Sequence, residues 1–285
     1  MASKYAFYAE KLEDFYRYPE KYYVHPFRIY GNLWFVGNAD VGAYLLDTEE
    51  GIVLIDTTYP ATRAQMIQSV WEAGFRPADI RHILHTHGHF DHIGATAFLV
   101  SLSGARTYLG AEDAKMFRER PELMLAKDAG PAFVDTFVPD TELHDGDVLT
   151  FGSTKIRCVA TPGHTMGVFT FFITLEEGGR KLTAALCGGV GLNTLCRDFI
   201  EQYHTESYRE YFPQSMEKIK DERVDIVLGN HTGQNRTIEK YEKMRKDPLG
   251  PNPFVDPAEW KGFIEKVLSG YAGMLRDEEA GTDQI

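Results

Sequence analysis

The sequence predicts an α/β protein folded as a single-domain, four-layer αβ/βα sandwich that carries its chemistry at the carboxyl ends of strands. Three observations lead there. The 285-residue chain reads as two successive strand-rich halves, each followed by helical stretches. It contains no linker and no short-period repeat. A histidine-dense loop stands where a short apolar strand gives way to a helix.

The first half opens as a meander. Apolar runs at 27–29, 33–36, 43–46 and 52–55 are separated by turns at Gly31-Asn32 and from Asp47 to Gly51, the pattern of hairpin strands broken by Asn, Asp and Gly. Pro60 starts a helix through Ala73, with Met66, Ile67, Val70 and Trp71 at helical spacing and Gly74 as its stop. Residues 80–84 form the strand that runs into the histidines, and 95–102 the helix beyond them, stopping near Gly104. A strand at 107–109 and a helix at 111–120 follow. Residues 122–137 are less regular and read as a mobile stretch flanking a cleft.

The second half repeats the style. Strands at 148–151 and 156–160 lie around Gly152, and the turn Thr161-Pro162-Gly163-His164 leads to a hairpin of 168–174 with 181–187. A helix at 208–220, a last strand at 226–228 and a closing helix at 257–272 complete the chain. Ahead of the 26–285 domain, residues 1–25 form an aromatic extension containing Tyr5, Phe7, Tyr8, Phe15, Tyr16, Tyr22 and Tyr23. It is expected to pack on the fold by bracing the outer sheet, with covering the cleft or a partner subunit as the other reading.

A formal charge of -12 argues against a nucleic-acid backbone or an anionic membrane as partner, because both need clustered Lys and Arg. No apolar run is long enough to span a bilayer, and the N-terminal stretch lacks the apolar centre of a secretory leader. A cytoplasmic protein is therefore expected, or a periplasmic one whose leader has been removed. The odd cysteine count, Cys158, Cys187 and Cys196, fits reduced thiols, none of them catalytic.

The run His87-Gly88-His89-Phe90-Asp91-His92 puts four strong metal ligands in one short loop, and imidazole nitrogen with carboxylate oxygen is a donor set that suits zinc. Neighbouring loop side chains point in different directions, so one loop can feed two metals, His87 and His89 toward one, Asp91 and His92 toward the other. The bland reading is a solvated histidine loop that binds metal adventitiously. His164 and His231 each sit on a glycine-containing turn just after an expected strand, where the backbone permits close approach.

The order H-x-H-x-D-H, then a Gly-His turn, then a strand-end histidine resembles the metallo-β-lactamase superfamily, over nearly the whole chain from about Pro26. Within it the chain is most similar to the third (B3-like) subclass, through Pro26-Phe27-Arg28-Ile29-Tyr30-Gly31-Asn32 with Val36-Gly37, Ile52-Val53-Leu54-Ile55-Asp56-Thr57, Thr161-Pro162-Gly163-His164-Thr165 and Asn252-Pro253-Phe254-Val255-Asp256-Pro257. The resemblance implies two Zn2+ per chain, iron or manganese being the alternatives. His87, His89 and His164 would hold the first, and Asp91, His92 and His231 the second. Asp56 would be a buried acid steadying the metal loop. Asp91 is also the expected catalytic residue, orienting a metal-bridging hydroxide and carrying its proton to the leaving group.

Many hydrolases of the superfamily carry a bridging aspartate after the strand that here ends at Cys187, and Gly189 stands in its place. That favours a lactamase-like site bridged by hydroxide alone. It also departs from the serine frequent in the third subclass. Cys187 reads as a buried strand residue. The expected substrate is a small molecule with a carbonyl group. First comes the β-lactam amide, then a cytoplasmic lactone, amide or ester, and last an inactive metal-binding scaffold.

Overall fold

Strands alternate their side chains between two faces, and in the first half both faces are apolar, which requires a layer on each side. A computed structural model, describing residues 3–6, 13–129 and 135–284, shows how that requirement is met. Strands β1 (Phe27–Tyr30), β2 (Leu33–Phe35), β3 (Tyr44–Thr48), β4 (Gly51–Ile55), β5 (Ile80–Leu84), β6 (Arg106–Gly110) and β7 (Thr141–Leu143) form one sheet in chain order. β1 to β4 pair antiparallel and β4 to β7 parallel. The second sheet has the order β12-β11-β10-β9-β8, built from β8 (Val148–Phe151), β9 (Thr154–Ala160), β10 (Phe169–Glu177), β11 (Arg180–Cys187) and β12 (Ile226–Gly229). Its pairs are antiparallel except β11 with β12, which is parallel.

The helices are α1 (Glu13–Arg17), α2 (Arg63–Glu72), α3 (Phe90–Ile93), α4 (Thr96–Ser103), α5 (Ala111–Glu119), α6 (Arg197–Tyr203), α7 (Ser207–Ile219), α8 (Thr237–Lys246) and α9 (Glu259–Ala280). Alternation sorts the core into layers. Tyr44, Leu46, Val53 and Ile55 face Ile156, Phe171 and Ile173 between the sheets. Leu45, Ile52 and Leu54 face Met66 and Val70 of α2 and Leu99 of α4. On the far side Phe172, Ala185 and Val227 meet Phe212 and Met216 of α7 and Trp260 and Ile264 of α9. The expected αβ/βα sandwich is what the chain forms.

Differences from expectation are local. The helix beginning at Pro60 opens with a 3-10 turn, Pro60–Thr62, because proline lacks the donor and suits a first turn. α9 continues to Ala280, eight residues past the expected end, and stops at Gly281 with φ +68°. β7, α1, α3, α6 and α8 had no counterpart in the sequence reading. Two 3-10 turns, Pro121–Met124 and Ala126–Ala129, occupy the start of the stretch at 122–137, while the part at 130–134 lies outside the described residues, as do Phe7 and Tyr8.

In the N-terminal extension, Phe15 is buried, stacks on Tyr22 at 3.7 Å and packs on Tyr59. Tyr23 bridges to Asn38, while Ser3 and Tyr5 reach the other end of the chain through Gln284 and Asp277.

Candidate metal centre

The site begins with a strained corner. Asp56 and Thr58, just past β4, have φ of +59° and +57°, in the left-handed region that costs a residue with a Cβ about 1–3 kcal/mol. The corner turns the Asp56 carboxylate inward beneath the loop that follows β5. There Asp56 is fully buried and accepts from the Thr86 amide at 2.8 Å, the Thr86 hydroxyl at 2.7 Å and His92 Nδ1 at 2.9 Å. Gly94 closes the same junction. A Cβ there would lie 2.2 Å from the Pro60 nitrogen, so the loop fits against 58–60 only as glycine.

Six side chains from three loops converge in two groups. His87, His89 and His164 form one, and Asp91, His92 and His231 the other; within each group the potential ligand atoms all lie within 4.8 Å of one another. His164 is positioned by donating from Nδ1 to the Gly191 carbonyl at 2.9 Å, with the Thr194 hydroxyl at 3.1 Å, which turns its other nitrogen toward His87 and His89. His231 follows β12; its Nδ1 is 3.6 Å from Asp40 and its Nε2 3.4 Å from Asp91 Oδ2. Asp40 in turn accepts from the Tyr59 hydroxyl at 2.6 Å.

The donor arrangement fits zinc. Two nitrogens bound tetrahedrally at about 2.0–2.1 Å stand roughly 3.3 Å apart, and His87 Nε2 faces His89 Nδ1 at 3.1 Å. His92 spends Nδ1 on Asp56 and leaves Nε2 buried with no hydrogen-bond partner among the described residues. A buried polar atom without a partner is costly unless something else satisfies it. Burial pushes His87 and His89 well below the ordinary histidine pKa and His164 down to about 4, so all three are the neutral imidazoles that metal binding requires. Burial alone would raise Asp91, but His92 and His231 outweigh it and hold the carboxyl below its usual range.

Sequence reasoning missed the group that ties the two histidine loops together. Asp113, in the first turn of α5, is fully buried and accepts from the Gly88 amide at 2.7 Å, the Thr165 hydroxyl at 2.8 Å and the Gly167 amide at 2.9 Å. It therefore spaces the 87–92 loop from the His164 turn. Gly167 admits it by lacking a side chain, since a Cβ there would lie 2.4 Å from the Asp113 amide nitrogen. Asp40 and Tyr59 were missed as well.

Gly189 has a steric reason. A Cβ there would stand 2.6 Å from His164 Cδ2, so neither serine nor aspartate fits without moving that histidine. Cys187 is buried, takes a 3.6 Å contact from the Thr170 hydroxyl, and has its thiol pushed up to about 12 by burial. It belongs to neither group.

A cavity of 490 Å³ opens over these residues, walled by Phe15, Tyr22, Tyr59, Phe90 and Leu125, with His89, Asp91, His164 and His231 on its floor. Residues 37–177 match the family described as the metallo-beta-lactamase superfamily. The native FEZ-1 metallo-beta-lactamase of Legionella gormanii superposes with a TM-score of 0.81 at 30% identity, over 90% of this chain and 97% of that one. This chain belongs to the metallo-β-lactamase superfamily, a fold family of hydrolases. A probable metallo-hydrolase of Burkholderia pseudomallei is 35% identical over 118 residues, 41% of this chain and 38% of that protein. The hydroxyacylglutathione hydrolase GloC of Haemophilus influenzae is 31% identical over 147 residues, 51% of this chain and 66% of its own length. The chain spans about half the length of the curated relatives it matches. No helix among the described residues is long and apolar enough to cross a membrane.

Proposed function

We propose that this chain is a dinuclear zinc hydrolase that cleaves the carbonyl bond of a small molecule, a β-lactam amide first among them. The observation that carries the reading is the pair of three-ligand groups meeting on the floor of one cavity. His87, His89 and His164 would hold one ion, and Asp91, His92 and His231 the other. When bound, the ions supply Lewis acidity and a water-derived nucleophile at neutral pH. The chain supplies the rest. Asp91 Oδ2, between His92 Nε2 at 3.5 Å and His231 Nε2 at 3.4 Å, orients the attacking water and takes its proton for the leaving atom. Asp56 and Asp40 fix the rings of His92 and His231. Phe15, Tyr59, Phe90 and Leu125 wall the reaction from bulk water. Residues 1–25 act as an extension on a 26–285 domain, contributing Phe15 and Tyr22 to that wall.

The lactam reading draws on the likeness to a structure described as a metallo-beta-lactamase and on the absence of a bridging acid at Gly189. One observation favours a lactone, amide, ester or thioester instead. The space at Gly189 is filled by His164, which leaves no side-chain hydroxyl there to receive a lactam carboxylate. Zinc and iron analysis run beside a chromogenic cephalosporin assay, with and without chelator, separates these. Two ions per chain with chelator-sensitive turnover supports the lactamase; two ions without lactam turnover moves the reading to the second substrate class, and failure to hold two ions sinks both.

A further inference from the structure

Beside the cavity over the metal ligands lies a second concavity of 360 Å³, within the size range of small-molecule sites, roughly 300–1,000 Å³. The two share Asp40 and His231 in their linings, so they adjoin each other at the second ligand group. Its walls are Val190 and Leu192, from the loop after β11, and Phe263 and Val267 of α9. Phe263 is buried, and the other three are half-buried against the core beneath the second sheet. Gly270 keeps the groove open. A Cβ at that position would only touch Leu192 Cδ1 at 4.0 Å, whereas a longer side chain would enter the space.

Lys266 is the one lysine or arginine that lines the groove among the described residues. It is exposed and makes no ion pair with any described residue. The reason is sequence: the positions one turn away on α9 are Gly262, Phe263, Ser269 and Gly270, none of them acidic. The groove's acid, Asp40, is already engaged by the Tyr59 hydroxyl and faces His231. Asp40 lies at the end shared with the cavity over the ligand groups, so along α9 the charge that a ligand would meet is that of Lys266.

We propose that this groove is the subsite for the non-reacting arm of the substrate, and that it takes an apolar arm bearing an anionic group, met by Lys266. The assignment rests on the hydrolase reading and adds the shape and charge of what is cleaved. The apolar wall supplies most of the affinity through burial. The exposed lysine adds selectivity of modest size, because an exposed pair contributes about 0.2–1 kcal/mol and fades with salt.

Two probes test it. The first is a set of p-nitrophenyl esters: the acetate, the half-ester of suberic acid, and that half-ester capped as its methyl ester. The metal-loaded protein is expected to prefer the free suberate arm. Lys266→Glu lowers kcat/KM for that arm by about threefold to tenfold, through KM, and leaves the methyl-capped arm and the acetate unchanged. Gly270→Leu raises KM for both long arms and leaves the acetate unchanged. The second probe is octanesulfonate, which has arm and anion but no carbonyl, followed by calorimetry. Its binding is expected to weaken in both variants and at high salt. Kinetics indifferent to arm and variant, or octanesulfonate binding that is absent or unaltered in both variants, overturns the groove. If a protein holding two ions cleaves none of the esters or lactams, the hydrolase reading fails, and the sulfonate titration still decides the groove.

Discussion

The two proposed ligand groups are held in different ways. His87, His89 and His164 are buried, and their frame is largely backbone: His164 donates to a main-chain carbonyl, and the loops carrying all three are spaced by main-chain amides converging on Asp113. In the second group the two histidines are backed by carboxylates, Asp56 behind His92 and Asp40 near His231, and the His231 side chain is 34% exposed. A carboxylate behind an imidazole fixes its tautomer and raises its basicity. The first group is thus a socket framed by main chain and Asp113, and the second is backed by carboxylates, with His231 opening part-exposed onto the cavity.

The largest break in that contrast should come from the socket. His164→Ala removes a buried side chain of the proposed first group and is expected to lower turnover on the order of 10³-fold, given that a metal supplies several kcal/mol of transition-state stabilisation. Metal content should fall to one ion or fewer. His231→Ala should instead leave close to one tightly held ion per chain. Equal metal loss in the two variants would remove the distinction between socket and open site.

Next comes Asp113→Asn, which keeps shape but loses acceptor capacity toward three donors. Affinity at the first group is expected to fall about 10–100-fold with the second little changed, read by chelator competition. A pH dependence accompanies it. Burial pushes Asp113 up to about 6, above the usual carboxylate range. A carboxyl whose folded pKa is raised stabilises fully below its unfolded pKa and loses that contribution as pH rises through the folded one. The stability of the wild type relative to the variant should therefore decline by about 3 kcal/mol between pH 4 and pH 7, measured by denaturation of the metal-free protein.

What was legible follows the same divide. The 87–92 run was visible because its potential ligands are contiguous, and His164 and His231 because glycine-bearing turns after strands marked them as candidates. The sandwich was visible because two successive strand-rich halves are each followed by helical stretches. Asp113, Asp40 and Tyr59 were not, because each acts across more than 15 residues of sequence from within an ordinary helix or loop, with no local pattern to distinguish it from a solvated acid or a core tyrosine. α3 was missed because its four residues coincide with the ligand run, where helical periodicity has no room to show. Phe15 and Tyr22 were legible as an aromatic extension, but their place in the cavity wall depends on a chain path that the sequence leaves open.

A smaller effect is expected at the open group. Asp40→Asn should cost about tenfold in affinity for the second ion and leave the first untouched, because it removes the carboxylate near His231 Nδ1. Retained affinity at both sites would show that Asp40 serves the cavity rather than the ligand.

The smallest change sharpens the same point. Tyr59→Phe removes only the hydroxyl that donates to Asp40 at 2.6 Å and keeps the ring that packs on Phe15 and Phe90. A hydrogen bond to a charged group contributes about 1.5–3 kcal/mol when fully buried, but Asp40 is partly exposed and water replaces much of the loss. Affinity for the second ion should therefore fall only about twofold to fivefold, in the same direction as Asp40→Asn and by less. If Tyr59→Phe matched or exceeded Asp40→Asn, the tyrosine would be acting on the cavity directly, and the chain of hydroxyl, carboxylate and histidine would not be what holds His231.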